Sequence, residues 1–193
     1  MAKTLILPGL DGSPAPHWQH WWAATDPSAI MVEQSDWHSP NPRAWETEAA
    51  GQILHHPGCI LVGHSLGAVL ATRLLTRWPQ LNIAAALLVA PADTQLSDRI
   101  SDFGPLTRAP LQVPSILVAS QNDPWMSYAS AKGHAANWGS ELVDLGMAGH
   151  INVASGFGPW PGGKLLRDRL LARAWHAARP CAPPAKTAHR AQA

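Results

Sequence analysis

Short apolar runs alternate along this chain with longer segments of helical pattern. The runs are Thr4–Leu7, Ile30–Val32, Cys59–Val62, Ala84–Ala90, Ser115–Ala119 and Glu141–Leu145. Most are apolar at every position, which predicts strands covered on both faces, as in a parallel sheet. Ala84–Ala90 fits a helix fragment equally well by periodicity; its length and the closing Pro91 favour a strand. Between the runs, helices are predicted at about residues 15–25, 42–55, 65–78, 124–138 and 163–178. Asn41-Pro42 opens the second with a cap residue and a preset first turn, and Pro79 stops the third. Residues 92–112 are polar and broken by Pro and Gly, so a loop with at most one short helix is expected there. Residues 179–193 read as a disordered tail. Strands separated by helices predict one α/β domain over residues 1–178, a parallel sheet between two helical layers.

Composition narrows the class. With 193 residues, 46% hydrophobic and 14% charged, the chain has enough apolar material for one core and too little charge for a disordered protein. Lys and Arg number 14 against 13 Asp and Glu, and no basic run occurs. Nucleic acid and anionic membranes therefore lack their usual electrostatic footprint. Thr4–Leu7 is too short for a signal-peptide core, and no apolar stretch reaches the length of a membrane span. Cys59 and Cys181 have no partners at metal-ligand or disulfide spacing, so no metal site is expected and a reducing, cytoplasmic setting is. Oligomeric state is left open by these features.

One stretch changes the picture from fold to chemistry. Gly63-His64-Ser65-Leu66-Gly67 falls where a buried run turns into a helix. A serine on such a turn has a strained backbone and an exposed hydroxyl, and side chains two positions away on either side would collide. The helix that follows aims its free N–H groups at the place where negative charge develops. A serine nucleophile needs a base, expected as a histidine after a later strand, with an orienting acid between them in sequence. Asp123 follows the fifth run and His150 the sixth, in that order. Asp93, after the fourth run, opens on the same sheet edge and is a rival for the acid. His64 adjoins the serine and should point away from its hydroxyl; His17, His20 and His38 stand outside the expected order.

Taken together, Leu7-Pro-Gly-Leu-Asp-Gly-Ser13 with His17-Trp18, Gly63-His-Ser-Leu-Gly67, Asn122-Asp-Pro124 and Gly149-His-Ile-Asn152 resemble the small α/β-hydrolases akin to retinoblastoma-binding protein 9. Ser155-Gly-Phe-Gly-Pro-Trp-Pro161 is similar to a segment of the bacterial branch. The resemblance implies a three-layer α/β-hydrolase fold with no lid domain and about six parallel strands in the order 2-1-3-4-5-6. It implies Ser65, Asp123 and His150 as the catalytic triad. The loop after the first strand then faces Ser65, and the backbone N–H groups of Leu66 and Leu10 are expected to form the oxyanion hole, with Gly9 or Asp11 as alternatives to Leu10. The Leu-x-Cys-x-Glu motif behind the family's name is missing, so retinoblastoma-type binding is not carried over.

The tryptophans, ten against one Tyr and two Phe, are unusual. Trp37, Trp125, Phe157 and Trp160 fall on the expected active edge and are candidates for an apolar substrate pocket. Trp18, Trp21, Trp22 and Trp175 lie in predicted helices, where core packing is the expected role. The function expected is hydrolysis of a small ester, thioester or amide through an acyl-serine, with no cofactor. The alternatives are an interaction protein with an idle site, or an acyltransferase.

Overall fold

The computed structural model describes residues 2–178. Six strands form one parallel sheet: β1 (Thr4–Leu7), β2 (Ala29–Met31), β3 (Cys59–His64), β4 (Ile83–Val89), β5 (Ser115–Ala119) and β6 (Glu141–Asp144). Their order is β2-β1-β3-β4-β5-β6, as expected. Five helices connect or follow them: α1 (Trp18–Thr25), α2 (Pro42–His55), α3 (Leu66–Arg77), α4 (Tyr128–Trp138) and α5 (Pro161–Ala178). The tail expected at 179–193 lies outside the described residues, and Cys181 with it.

Alternation along the strands splits the apolar residues between two cores. Leu5, Leu7 and Leu61 face α2, α3 and α4, joining Trp45, Ile53, Leu70 and Trp138. Ile6, Ile60 and Val62 face α1 and α5, joining Trp18, Trp22 and Leu170. The central strands are buried on both sides, which is why they read as unbroken apolar runs. Burial raises the Cys59 thiol pKa to about 11. Trp175 departs from the expected core role: it is 70% exposed on α5.

Local chemistry sets the helix limits. Asn41 Oδ1 accepts the N–H groups of Arg43 and Ala44, and Pro42 occupies the first turn. α1 begins at Trp18 rather than near residue 15, because Ala15 precedes Pro16 and is disfavoured from helical backbone. The His17 ring supplies the cap instead. α4 begins at Tyr128 rather than 124, because Ser127 caps the helix through the N–H of Ser130. Two short 3-10 turns, Thr94–Leu96 and Ser101–Phe103, occupy the stretch where at most one was expected. Arg73 secures that stretch to α3 by donating to the Phe103 carbonyl.

Buried polar groups stitch distant parts together. Arg167 of α5 donates to Thr4 Oγ1 on β1 at 2.8 Å and to Asp26 Oδ2 beyond α1 at 2.8 Å. Gln19 is sealed from solvent; its amide donates to the carbonyls of Leu7 and Val62, and it accepts from Ser13 Oγ at 2.7 Å. The β1–α1 loop is thereby fixed against the carboxyl ends of β1 and β3.

Candidate active site

Ser65 sits between β3 and α3 with φ 54° and ψ −121°, a left-handed backbone that a non-glycine residue rarely adopts. Its N–H donates to the Val89 carbonyl at 3.0 Å, and its own carbonyl accepts from Ala68 at 3.0 Å. Close packing explains the flanking glycines. A Cβ on Gly63 would meet the Gly67 carbonyl oxygen at 2.5 Å, and one on Gly67 would run into the Leu7 carbonyl. Gly9, across the gap, lies so near that a Cβ there would approach the Ser65 Cβ to 2.9 Å. The first loop can face the serine only because that position carries no side chain.

The structure brings Ser65, His150 and Asp123 into one hydrogen-bonded line. Ser65 Oγ lies 2.9 Å from His150 Nε2, and His150 Nδ1 lies 2.9 and 3.0 Å from the two oxygens of Asp123. A carboxylate can only accept, so Nδ1 carries the ring proton and Nε2 offers its lone pair to the serine hydroxyl. Asp93 is not part of the line: it caps the first 3-10 turn by accepting the Gln95 N–H. Asp123 also accepts the Trp125 N–H at 2.8 Å.

The histidine loop is held from several sides. Asn122 Oδ1 accepts the Gly149 N–H at 2.7 Å, and Ser120 Oγ accepts the Ala148 N–H at 3.0 Å. The His150 N–H donates to Ser155 Oγ, and Trp18 Nε1–H donates to the Ile151 carbonyl. His64 points away from the serine hydroxyl and donates Nε2–H to the His150 carbonyl at 2.9 Å. Burial, with His150 and His17 as neighbours, keeps the His64 pKa well below the usual imidazole range, so its ring is neutral.

The N–H groups of Leu66, Leu10 and Gly9, all at the serine turn or the loop facing it, have no backbone partner among the described residues. Asp11, an alternative for the second donor, gives its N–H to the Trp37 carbonyl at 3.0 Å. A cavity of about 270 Å³ opens beside Ser65, lined also by Leu10, His17, Ser97, Arg99, Trp125, His150 and Asn152. Trp37 lines a separate cavity of about 410 Å³ on the far side of the first loop, with Pro8, Met31 and Glu33. Phe157 and Trp160 do not reach the cavity beside Ser65. They pack edge-on against each other, with Trp160 also against Trp18, half-buried against the core that α1 and α5 cover.

At the cavity rim Arg99 donates to both Asp11 oxygens, at 3.1 and 2.6 Å, and to the His38 carbonyl. The bonds from Arg99, stronger than the opposing effect of partial burial, hold the Asp11 carboxyl below its ordinary pKa. Among the described residues, no cluster of three His, Cys, Asp or Glu side chains is arranged to hold a metal ion. None of the helices there is long and apolar enough to cross a membrane.

Comparison with known proteins bears on the family and the fold. The family model for serine hydrolases matches residues 4–169. A YdeN-like hydrolase structure from Pectobacterium atrosepticum is 36% identical, with a TM-score of 0.81, over 89% of this chain and 92% of that one. The ydeN gene product of B. subtilis shares the fold at 18% identity and a TM-score of 0.76, over 89% of this chain and all (100%) of that one. So does esterase 2 of Thermogutta terrifontis, at 17% identity and a TM-score of 0.65, over 89% of this chain and 83% of that one. No curated protein sequence matches the chain.

Proposed function

Because the chain belongs to the serine hydrolase family, we propose that it cleaves a small ester, thioester or amide through an acyl-serine on Ser65. The observation that carries this reading is the Oγ–Nε2 distance of 2.9 Å, with Nδ1 engaged by Asp123. As Ser65 Oγ bonds to the substrate carbonyl carbon, its proton passes to His150 Nε2. The carbonyl oxygen becomes an oxyanion, and the N–H groups of Leu66 and Leu10 donate to it. His150 then returns the proton to the departing alcohol, thiol or amine as the tetrahedral adduct collapses. Water repeats the sequence: it loses a proton to Nε2, attacks the acyl carbon, and releases the acid with Ser65 restored. Asp123 stays ionised, stabilises the imidazolium and fixes the ring.

The motifs quoted above support placing the chain in the bacterial branch of the small hydrolases akin to retinoblastoma-binding protein 9. The free, buried thiol of Cys59 suits a reducing cytoplasm. A fluorophosphonate probe followed by peptide mapping tests the reading. Ser65 should carry the label, and Ser65→Ala should abolish labelling and lower ester turnover by at least about 10⁴-fold. A label on another serine, or unchanged turnover in the variant, overturns the assignment.

A further inference from the structure

The proposed reaction leaves His17 unused, although it lines the same cavity as Ser65 and His150. Its Nδ1 accepts the Gln19 N–H at 3.1 Å, capping α1. Only a bare ring nitrogen can accept, so the neutral ring carries its proton on Nε2. Burial, with the nearby His150 as the lesser cause, pushes the His17 pKa down to about 4. The ring is therefore uncharged at neutral pH, in one tautomer. Neighbouring rings hold it in place: Trp18 at 5.4 Å and His64 at 5.0 Å between centroids, with His64 in turn 5.0 Å from His150. His17 as a whole is only 6% exposed. Even so, its Nε2 is not among the sealed atoms without a partner, which in the described residues are Trp22 Nε1, Gln34 Oε1 and His134 Nδ1. No side chain or backbone group among the described residues pairs with it, so its N–H is left as a donor to whatever fills the cavity.

We propose that His17 is a positioning residue whose Nε2–H donates to an acceptor atom in the acyl chain of the substrate. The leaving group must lie beside His150 Nε2, which returns its proton. His17 stands one ring further away, beyond His64, on the chain segment that also carries Gly9 and Leu10. The leaving group being served by His150, His17 is assigned the acyl group. An ether, hydroxyl or carbonyl oxygen near the scissile bond satisfies the donor; a plain alkyl chain strips its water and returns nothing. The preferred substrate class is thus an acyl group bearing a neutral oxygen. The inference rests on Ser65 being the nucleophile.

Two p-nitrophenyl esters of equal chain length test it: methoxyacetate, and butyrate with CH₂ in place of the ether oxygen. Their kcat/KM values are divided by their alkaline hydrolysis rates to remove intrinsic reactivity. The wild-type protein should favour methoxyacetate by about 3–10-fold after this correction. His17→Asn keeps a capping acceptor for α1 but is too short to place a donor at the Nε2 position; His17→Phe keeps the ring without the donor. In both variants the preference should shrink to within about twofold, with fluorophosphonate labelling of Ser65 retained. A merely structural role would slow both esters alike and leave the ratio intact. Wild-type protein that labels at Ser65 but shows no preference, or variants that keep it, overturns the role of His17 alone. Wild-type protein that does not label at Ser65 overturns the hydrolase reading, and this inference with it.

Discussion

The cavity beside Ser65 has two unlike walls. One is a row of buried rings, His17, His64 and His150, each tied to backbone or to Asp123. The other is the ion pair of Asp11 and Arg99, whose side chains are 48% and 49% exposed. In the buried wall every proton has a fixed address, because a misplaced one has no water to correct it. At the rim, water competes for each contact, so the pair orients two loops at little cost or gain. Chemistry that needs a defined tautomer belongs in the first wall, and adaptable contact belongs at the second.

The sharpest way to break this contrast is to disturb the proton address of His150. Asp123→Asn replaces an acceptor with a group that can also donate, and should lower kcat by about 10⁴-fold with the fold intact. Asp93→Asn should change kcat little, since the Asp93 carboxylate caps its own turn and the backbone bond from Asp93 to Trp125 is kept; a crippled Asp93→Asn beside an active Asp123→Asn reverses the assignment. Rates must be compared at matched thermal stability.

Packing at the nucleophile turn gives the next largest effect. Gly67→Ala drives a methyl group into the Leu7 carbonyl and should cost about 3 kcal/mol or more in urea unfolding. Gly51, inside α2 with nothing near its missing Cβ, is the control: Gly51→Ala should stabilise by about 0.5–1 kcal/mol. Equal effects at the two positions would show that the turn is not tightly packed.

Acid tests the buried wall as a whole. Folded His17 stays neutral down to about pH 4, while the unfolded chain takes up its proton near the ordinary 6.5. The unfolded state therefore binds more protons in between, and stability falls as pH drops from 6.5 to 4. His17 alone accounts for up to about 3 kcal/mol of that loss. His64 adds to it in the same direction. His17→Asn should flatten the dependence of stability on pH across this window; an unchanged slope would mean that His17 is accessible and charges freely. The smallest effect belongs to the rim. Arg99→Ala should leave Tm nearly unchanged and alter kcat/KM no more than about threefold.

The strands were legible because burial on both faces leaves no polar interruption, and their ends differ from the expected ones by at most about two residues. The strand order came from resemblance to a family, since periodicity carries no information on which strands pair. Ser65 could be picked out by its flanking glycines, and Asp123 and His150 by their order in the loops after the fifth and sixth runs. His17, Gln19 and Asn122 could not be given their roles, because those depend on carbonyls and rings that meet only in three dimensions. Arg99 was hidden for a similar reason: the polar stretch around it offers no period to read. The aromatic residues misled most. Phe157 and Trp160 follow the histidine loop in sequence, but they pack on each other and, through Trp160, on Trp18 at the edge of the core.

The clasp between Arg167 and the pair Thr4 and Asp26 bears on how the chain is made. β1 leaves the ribosome before its α5 partner, which emerges more than a hundred residues later. At about 5–20 residues per second, the sheet face carrying Ile6, Ile60 and Val62 waits roughly 5–30 seconds for Leu170 to complete its cover. Until then only α1, through Trp18 and Trp22, covers that face, and a message truncated before Arg167 yields a product in which the α5 share of it stays open.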